Sequence, residues 1–246
     1  MDPFSRGCCV RHRHLTPEYV DAPDLDFGVL KASLAQVSQV NRWLGGDRGL
    51  RWALAPFVRP QRRLRVLDVG AGDGTTLDRL GRWAEKRRCR LEGVAVDAHR
   101  TACRVAAERL ARPGAMGTME IVRADAFRLP FADGAFDAVV ATLTLHHFQD
   151  EEAVQVLEEM IRVARQQVVV SDLERSWPAY LGARLLAATV WRNNPYTRHD
   201  GPISVQRGFK RGELEDLGRR VALEDLRVSV HLPFRLTLAG APATGG

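Results

Sequence analysis

One stretch, Arg65–Thr76, constrains this chain more than any other. It reads Arg65-Val66-Leu67-Asp68-Val69-Gly70-Ala71-Gly72-Asp73-Gly74-Thr75-Thr76. Val66, Leu67 and Val69 have the β-branched, apolar character of a short buried strand. Glycines then fall at 70, 72 and 74, and Leu77, Leu80, Trp83 and Ala84 recur at helical spacing. Strand, glycine turn and helix therefore follow one another. Glycines at such a turn let the chain bend sharply and let a ligand approach without a Cβ in the way. The helix start presents backbone N–H groups with no partner. A second β-rich run, Leu91–Val96, ends in Asp97. A carboxylate at the tip of the second strand of a parallel sheet can accept hydrogen bonds from ribose hydroxyls. Together the two features point to a nucleoside-containing ligand over the carboxyl edge of an α/β sheet.

The rest of the chain fits an alternating βα pattern. Strands are expected at 65–69, 91–96, 118–123, 136–141 and 167–171. Helices are expected over about 75–87 and 99–111 and from Asp150 onward, and Pro113-Gly114 breaks the pattern. The acids Asp150, Glu151 and Glu152 complement the dipole of the helix they open. A helical prelude precedes the sheet: Asp24 or Asp26 caps a helix carrying Phe27, Leu30, Leu34, Val37 and Leu44, Gly45-Gly46 ends it, and a short helix follows before Pro60. After strand five comes an insertion, 176–212, with a helix marked by Leu181, Leu185 and Ala188. Its polar stretch Arg192–Pro202 reads as an irregular substrate loop. A helix from Gly212 to Val221 and two strands, 224–230 and 233–239 with Pro233 at the turn, close the chain.

Charge and cysteine usage narrow the class. The net charge is +6, but only three of the 36 basic residues are lysines (Lys31, Lys86, Lys210) and the arginines are scattered, so no nucleic-acid partner is expected. Cys8-Cys9 with His12 and His14 lacks metal-ligand spacing, and Cys89 and Cys103 are isolated. No metal site is expected, and a reduced, cytoplasmic compartment fits. No apolar run approaches the length of a membrane span.

The turn Asp68-x-Gly70-x-Gly72-x-Gly74 resembles the first motif of class I S-adenosylmethionine (SAM)-dependent methyltransferases. A dinucleotide fingerprint would read G-x-G-x-x-G, and its pyrophosphate would want bare N–H groups. A sulfonium and an ammonium instead welcome acids such as Asp68 and Asp73. The order of later motifs supports the resemblance over about 64–172. It implies a Rossmann-like seven-stranded sheet of order 3-2-1-4-5-7-6, with helices on both faces and a helical cap. The implied organisation is a disordered tail (1–15), a helical cap (16–60), a SAM-binding core (61–175), a substrate-side insertion (176–212), and a closing helix and hairpin (213–240).

By the same resemblance Asp68, Gly70, Ala71, Gly72 and Gly74 hold the methionine end of SAM, and Asp97 and Ala98 the ribose. Asp125 takes the adenine amino group, Ala126 supplies an N–H, and Thr142 closes the site after strand four. Arg128-Leu129-Pro130-Phe131 and Asp133-Gly134 look like the loop of quinone-type methyltransferases. Where amide-methylating relatives carry an Asn/Asp-Pro-Pro-Tyr motif, this chain has Leu145-His146-His147, similar to small-molecule C- and O-methyltransferases. Asn194-Pro195-Tyr196 imitates the amide motif, but after strand five.

The implied function is methyl transfer to a small, largely apolar acceptor with a phenolic, enolic or carboxyl oxygen, giving S-adenosylhomocysteine, by a monomer or homodimer. O-methylation is favoured because a histidine base matches a phenol. The candidate bases are His146, His147 and His199, and of the adjacent pair only one is expected to reach the cleft. Asp172, Tyr196, Trp43 and Trp191 are candidate acceptor contacts, with Trp52 and Trp177 as further aromatic candidates. An NAD-dependent oxidoreductase and a non-catalytic SAM-fold partner protein are the rival readings.

Overall fold

The computed structural model describes residues 10–22, 25–111, 118–221 and 223–243. A single Tyr19–Asp21 turn of 3-10 helix precedes α1 (Phe27–Trp43) and α2 (Arg48–Leu54). The alternating part follows: β1 (Arg63–Val69), α3 (Thr75–Glu85), β2 (Arg90–Asp97), α4 (Arg100–Leu110), β3 (Thr118–Arg123), β4 (Phe136–Thr142), α5 (Asp150–Val163) and β5 (Ala164–Leu173). A 3-10 turn at Leu145–His147 lies between β4 and α5. The chain closes with α6 (Trp177–Ala188), α7 (Pro195–Arg207), α8 (Arg211–Arg220), β6 (Glu224–His231) and β7 (Arg235–Ala241).

The seven strands form one sheet of order β3-β2-β1-β4-β5-β7-β6, as the resemblance implies. β1 to β5 run parallel, and β7 lies antiparallel between β5 and β6. Because side chains alternate across a strand, β1 divides its apolar residues between two cores. Leu67 and Val69 join Leu157 and Met160 of α5 and Leu214 of α8. Leu64 and Val66 join Leu50 and Leu54 of α2 and Leu77 and Leu80 of α3. Both faces of the sheet are covered, which explains the near-continuous apolar runs of its parallel strands.

Several expectations need correction. The stretch 192–202 is not an irregular loop: from Pro195 it is α7. Asn194 is the N-cap, its side chain accepting from the N–H groups of Tyr196 and Thr197. Pro195 then occupies the first helical position, where a missing N–H costs nothing. α6 buries Ala179, Ala183 and Ala187, whereas Leu181 and Leu185 are largely exposed. The tail expected at 1–15 is packed from Val10 onward: Val10 is buried, Arg175 donates to its carbonyl, and Arg13 donates to the carbonyls of Phe148 and Arg207 and pairs with Asp150. Asp26 caps α1, while Asp24, Cys8, Cys9 and the Pro113-Gly114 break lie outside the described residues. β5 runs two residues further than expected, to Leu173, and Pro233 follows a cis bond in the β6–β7 turn.

Candidate active site

Two adjoining cavities open at the carboxyl ends of β1, β2 and β4. The first, about 740 Å³, lies over the glycine turn. Gly70, Gly72 and Gly74 all adopt positive φ, at 69°, 54° and 73°. Only at Gly70 does close approach reinforce this need: a Cβ there would sit 2.3 Å from the Thr144 Cγ2. The turn is tied to β2, with the Ala71 N–H donating to the Val96 carbonyl and the Gly72 N–H to Asp97 Oδ2 at 2.9 Å. The other Asp97 oxygen accepts from the His99 N–H at 2.8 Å. Asp97, Ala98, Ala126 and Phe127 line this cleft together with Leu143 and Thr144.

The two acids of the turn differ. Asp73 is satisfied within the protein, accepting from Arg109, the Ser38 hydroxyl and the Thr75 N–H. Asp68 is just as buried, yet neither carboxylate oxygen has a partner. Burial, then the neighbouring Asp97 and Asp73 charges, push its pKa well above the usual carboxylate range. An orphaned acid beside glycines is what a cationic or hydrogen-donating ligand group would complete. The residues present therefore fit the ammonium, ribose and adenine parts of SAM, in a cleft of ordinary ligand size.

The second cavity, about 410 Å³, is walled mainly by apolar side chains from α1, α6, α7 and the α6–α7 connection, among them Leu34, Val40, Ala183, Leu186, Val205 and Trp191. Val20, Leu34, Leu143 and His147 line both cavities and so mark their junction. Leu143 holds φ at 54°, a costly conformation for a side chain with a Cβ. Strain of this kind gathers at ligand clamps and active sites.

Both adjacent histidines reach this chamber, correcting the expectation that only one would. The tight turn at Leu145–His147 brings their rings within 4.3 Å, centroid to centroid. His146 is buried, its Nδ1 donating to Asp172 at 2.6 Å and its Nε2 lying 3.5 Å from Glu18. Burial pulls the His146 pKa down, but Asp172 and Glu18 outweigh it and raise the value to about 9. His146 is thus an imidazolium at neutral pH, clamped between two carboxylates. His147 is half-buried at the junction, its Nδ1 lying 2.8 Å from Asp21 Oδ1. Arg207 fixes the turn from α7, donating to the carbonyls of His146 and His147. Glu18, His146 and His147 bring ligand-type atoms within 4.8 Å of one another, but a protonated His146 has no lone pair to offer an ion.

The structure separates the remaining candidates. Trp191 lines the chamber. Asp172 does not reach it: fully buried, it accepts from His146 and Leu173 and holds the imidazole in place. His199 and Tyr196 lie off both cavities. The His199 ring stacks on Tyr19 at 3.7 Å with its Nδ1 against Asp200, and Tyr196 meets Tyr19 edge-on. Trp43, Trp52 and Trp177 are substantially exposed and line neither cavity, Trp52 packing on His231 instead. The Asp125 carboxylate accepts from the Phe127 N–H at an exposed turn, outside the cleft wall. Asp68, Thr142, Ala71 and Gly74 also stand behind the wall, where Leu143 and Thr144 take the place expected of Thr142. Sequence reasoning missed Glu18, Asp21, Asn41 and Arg235, which carry no motif.

Comparison with known proteins agrees with this geometry. Residues 66–167 match the family described as "Methyltransferase domain". A demethylmenaquinone methyltransferase from Roseiflexus castenholzii is 35% identical over 136 residues, covering 55% of this chain and 52% of that protein. A 3-hydroxy-5-methyl-1-naphthoate 3-O-methyltransferase from Streptomyces sahachiroi is 30% identical over 138 residues, covering 52% and 38%. The chain thus spans about half the length, or less, of these curated relatives. Among solved structures, a SAM-dependent methyltransferase from Aquifex aeolicus shares the fold with a TM-score of 0.61 at 16% identity, covering 85% of this chain and 97% of its own. Human N-acetylserotonin methyltransferase shares it with a TM-score of 0.64 at 13% identity, covering 89% and 57%. Among the described residues, no helix is long and apolar enough to cross a membrane. Glycine turn, sheet order and matched segment thus agree: residues 66–167 match a methyltransferase domain, on a fold shared with SAM-dependent methyltransferases.

Proposed function

We propose that the protein transfers a methyl group from SAM to an oxygen of a small, largely apolar acceptor of the phenol or enol type, a quinone- or polyketide-like metabolite. One observation carries this reading: an apolar chamber of about 410 Å³ opens beside the glycine-turn cleft, and His147 stands at the junction. Bound SAM supplies a methyl group activated by its sulfonium and leaves as S-adenosylhomocysteine. Asp68 offers its unpartnered carboxylate to the ammonium end, and Asp97 offers the free lone pairs of its two oxygens to the ribose. Ala98, Ala126 and Phe127 wall the nucleoside.

The chain's remaining work is alignment, exclusion of water and removal of one proton. A phenol with an unperturbed pKa near 10 needs a base at neutral pH. His147 accepts that proton, with Asp21 holding its Nδ1 side. His146 is already protonated and cannot serve as base. Its two N–H groups face Asp172 and Glu18, so it brings its positive charge, not a free donor, to the chamber wall, where that charge can steady one developing on the acceptor. That feature favours a second reading, carbon methylation, since a stabilised enolate can react at carbon.

The test is transfer from methyl-labelled SAM to panels of phenols, enolic polyketides, quinols, tRNA and protein, with the new C–H or O–CH₃ signals assigned by NMR. Label on small phenols or enols supports the reading, and the position of the label separates the two versions. Label on tRNA or protein alone would sink both.

A further inference from the structure

Arg235 opens β7 and reaches the wall of the apolar chamber. Its side chain is buried. The recorded acceptors are Asn41 Oδ1, taken by Nε at 3.2 Å and by Nη2 at 2.9 Å, and the Phe234 carbonyl, taken by Nη1 at 3.3 Å. A guanidinium carries five N–H donors, so two have no acceptor among the described residues. No carboxylate of the described residues pairs with it. The charge it feels is Asp172, whose oxygens already serve His146 and the Leu173 N–H. Burial lowers the Arg235 pKa to about 10, so the group stays charged at neutral pH. A buried cation with no carboxylate paired to it is costly to keep.

Holding Asn41 in place does not require this charge, because a neutral donor would suffice. The local chain is nonetheless built around the pair. Gly46 lies where a Cβ would meet Asn41 Oδ1 at 1.8 Å, so the glycine that follows α1 leaves room for the amide. The chamber's own acids are committed elsewhere. Glu18 serves His146 and Ser204, and Asp200 accepts from the N–H groups of Tyr19 and Val20 and from His199. These acids belong to the wall formed by the Tyr19–Asp21 turn and α7, whereas Asn41 and Arg235 belong to α1 and β7.

We propose that Arg235, held by Asn41, is an anion subsite of the acceptor chamber, and that the acceptor is a carboxylic acid. The carboxylate sits on the guanidinium and the reacting hydroxyl lies toward His147. The inference rests on the methyl-transfer reading, and it makes Arg235 a specificity-determining residue for that reaction.

The test uses a matched set: a hydroxynaphthoic acid, its carboxamide and the parent naphthol. The wild-type protein should prefer the acid at least tenfold in kcat/KM, mainly through KM. Arg235→Gln should erase that preference while leaving S-adenosylhomocysteine binding unchanged, and Arg235→Lys should restore part of it. Equal kcat/KM for acid and amide, or an equal loss on all three acceptors in Arg235→Gln, would overturn the proposal. A calorimetric titration of the wild-type protein keeps it testable if the variant does not fold. Naphthoate without a hydroxyl should bind at least tenfold more tightly than naphthalene carboxamide, and equal binding overturns the subsite. This binding measurement also separates the two ideas: naphthoate bound with no acceptor methylated would refute the methyl-transfer reading and leave the subsite standing.

Discussion

The glycine-turn cleft and the apolar chamber share a junction but are made of different material. The cleft is built by backbone. Positive-φ glycines, strand ends and N–H groups define it, and its key residues lie within the short stretches 70–72, 96–100, 123–127 and 143–149. The chamber is built by side chains from distant segments: the Tyr19–Asp21 turn, α1, α6, α7 and the start of β7. Each has one buried ionisable group left without full compensation, an acid behind the glycine turn of the cleft (Asp68) and a base in the chamber wall (Arg235). The contrast teaches that the cofactor half is fixed by chain geometry, whereas the acceptor half is fixed by which side chains the fold brings together. A backbone-built site should fail abruptly when its geometry is disturbed. A side-chain-built site should fail gradually and residue by residue.

The largest expected effect is therefore at Gly70. Gly70→Val places a branched side chain at a φ of 69° and 2.3 Å from Thr144. The left-handed conformation costs about 1–2 kcal/mol, and overpacking typically adds about 1–3 kcal/mol. Binding of S-adenosylhomocysteine by calorimetry should become undetectable. Retained binding would mean the cleft is more plastic than a backbone-built site should be.

On the chamber side, His147→Ala should lower kcat by about 10²–10⁴-fold at neutral pH, the usual range for a general base. The loss should shrink at high pH, where a phenol ionises unaided. Cofactor affinity should change little, which distinguishes it from the Gly70 variant. A uniform loss at every pH would reassign His147 to packing.

His146 should show itself in stability. Its folded pKa, about 9, lies above the ordinary value of 6.5. The stabilisation from its ion pairs is complete below pH 6.5 and is lost as pH rises through about 9, on the order of 3 kcal/mol in all. Asp172 and Glu18 are shifted the other way, down from the usual range. Their contributions are present above the ordinary carboxylate pKa and fade as pH falls through their lowered values. Denaturant melts from pH 6 to 10 should show the loss, and Asp172→Asn should flatten it. A flat wild-type profile would disprove the clamped imidazolium.

Asp68→Asn should move two quantities in opposite directions. Removing a charge that burial, Asp97 and Asp73 all disfavour should raise the melting temperature of the ligand-free protein. Removing the partner of the SAM ammonium should weaken binding by about 1.5–3 kcal/mol, the scale of a charge-assisted hydrogen bond. A destabilised variant with unchanged affinity would make Asp68 a structural residue.

The same contrast governs what could be read from the chain alone. Asp68, the three glycines and Asp97 lie close in sequence and obey strand and turn rules, so the glycine turn and the tips of the first two strands were legible from the residues, while the sheet order came from the family resemblance. The pair Asn41–Arg235 is 194 residues apart and Ser204–Glu18 is 186 apart, and no local rule joins such residues. α7 hid for another reason. Asn194-Pro195 is a helix-start signature, but His199-Asp200-Gly201-Pro202 offers no apolar stripe, and the polar character of the stretch prevailed over its cap. Thr142 falls one to two residues short: β4 ends there, and the wall is formed by Leu143, at a φ of 54°, and Thr144.

The smallest expected effect tests the chamber's outer boundary. Trp43 and Trp191 are the same residue type on neighbouring segments, and sequence gives no reason to separate them. Burial does. Trp43 is 57% exposed, whereas Trp191 is 5% exposed and packs so closely on Gly201 that a Cβ there would meet its ring at 2.3 Å. Trp43→Ala should change stability by no more than about 0.5 kcal/mol, the usual range for surface positions, and kcat/KM by less than twofold. His199→Ala should be similarly mild toward the acceptor, since its ring faces Tyr19 and not the chamber. Trp191→Ala is the internal standard: removing a large buried ring typically costs about 3–5 kcal/mol. A strong kinetic effect of Trp43→Ala with normal stability would show that the acceptor reaches past α1, and the chamber would have to be redrawn to include the end of that helix.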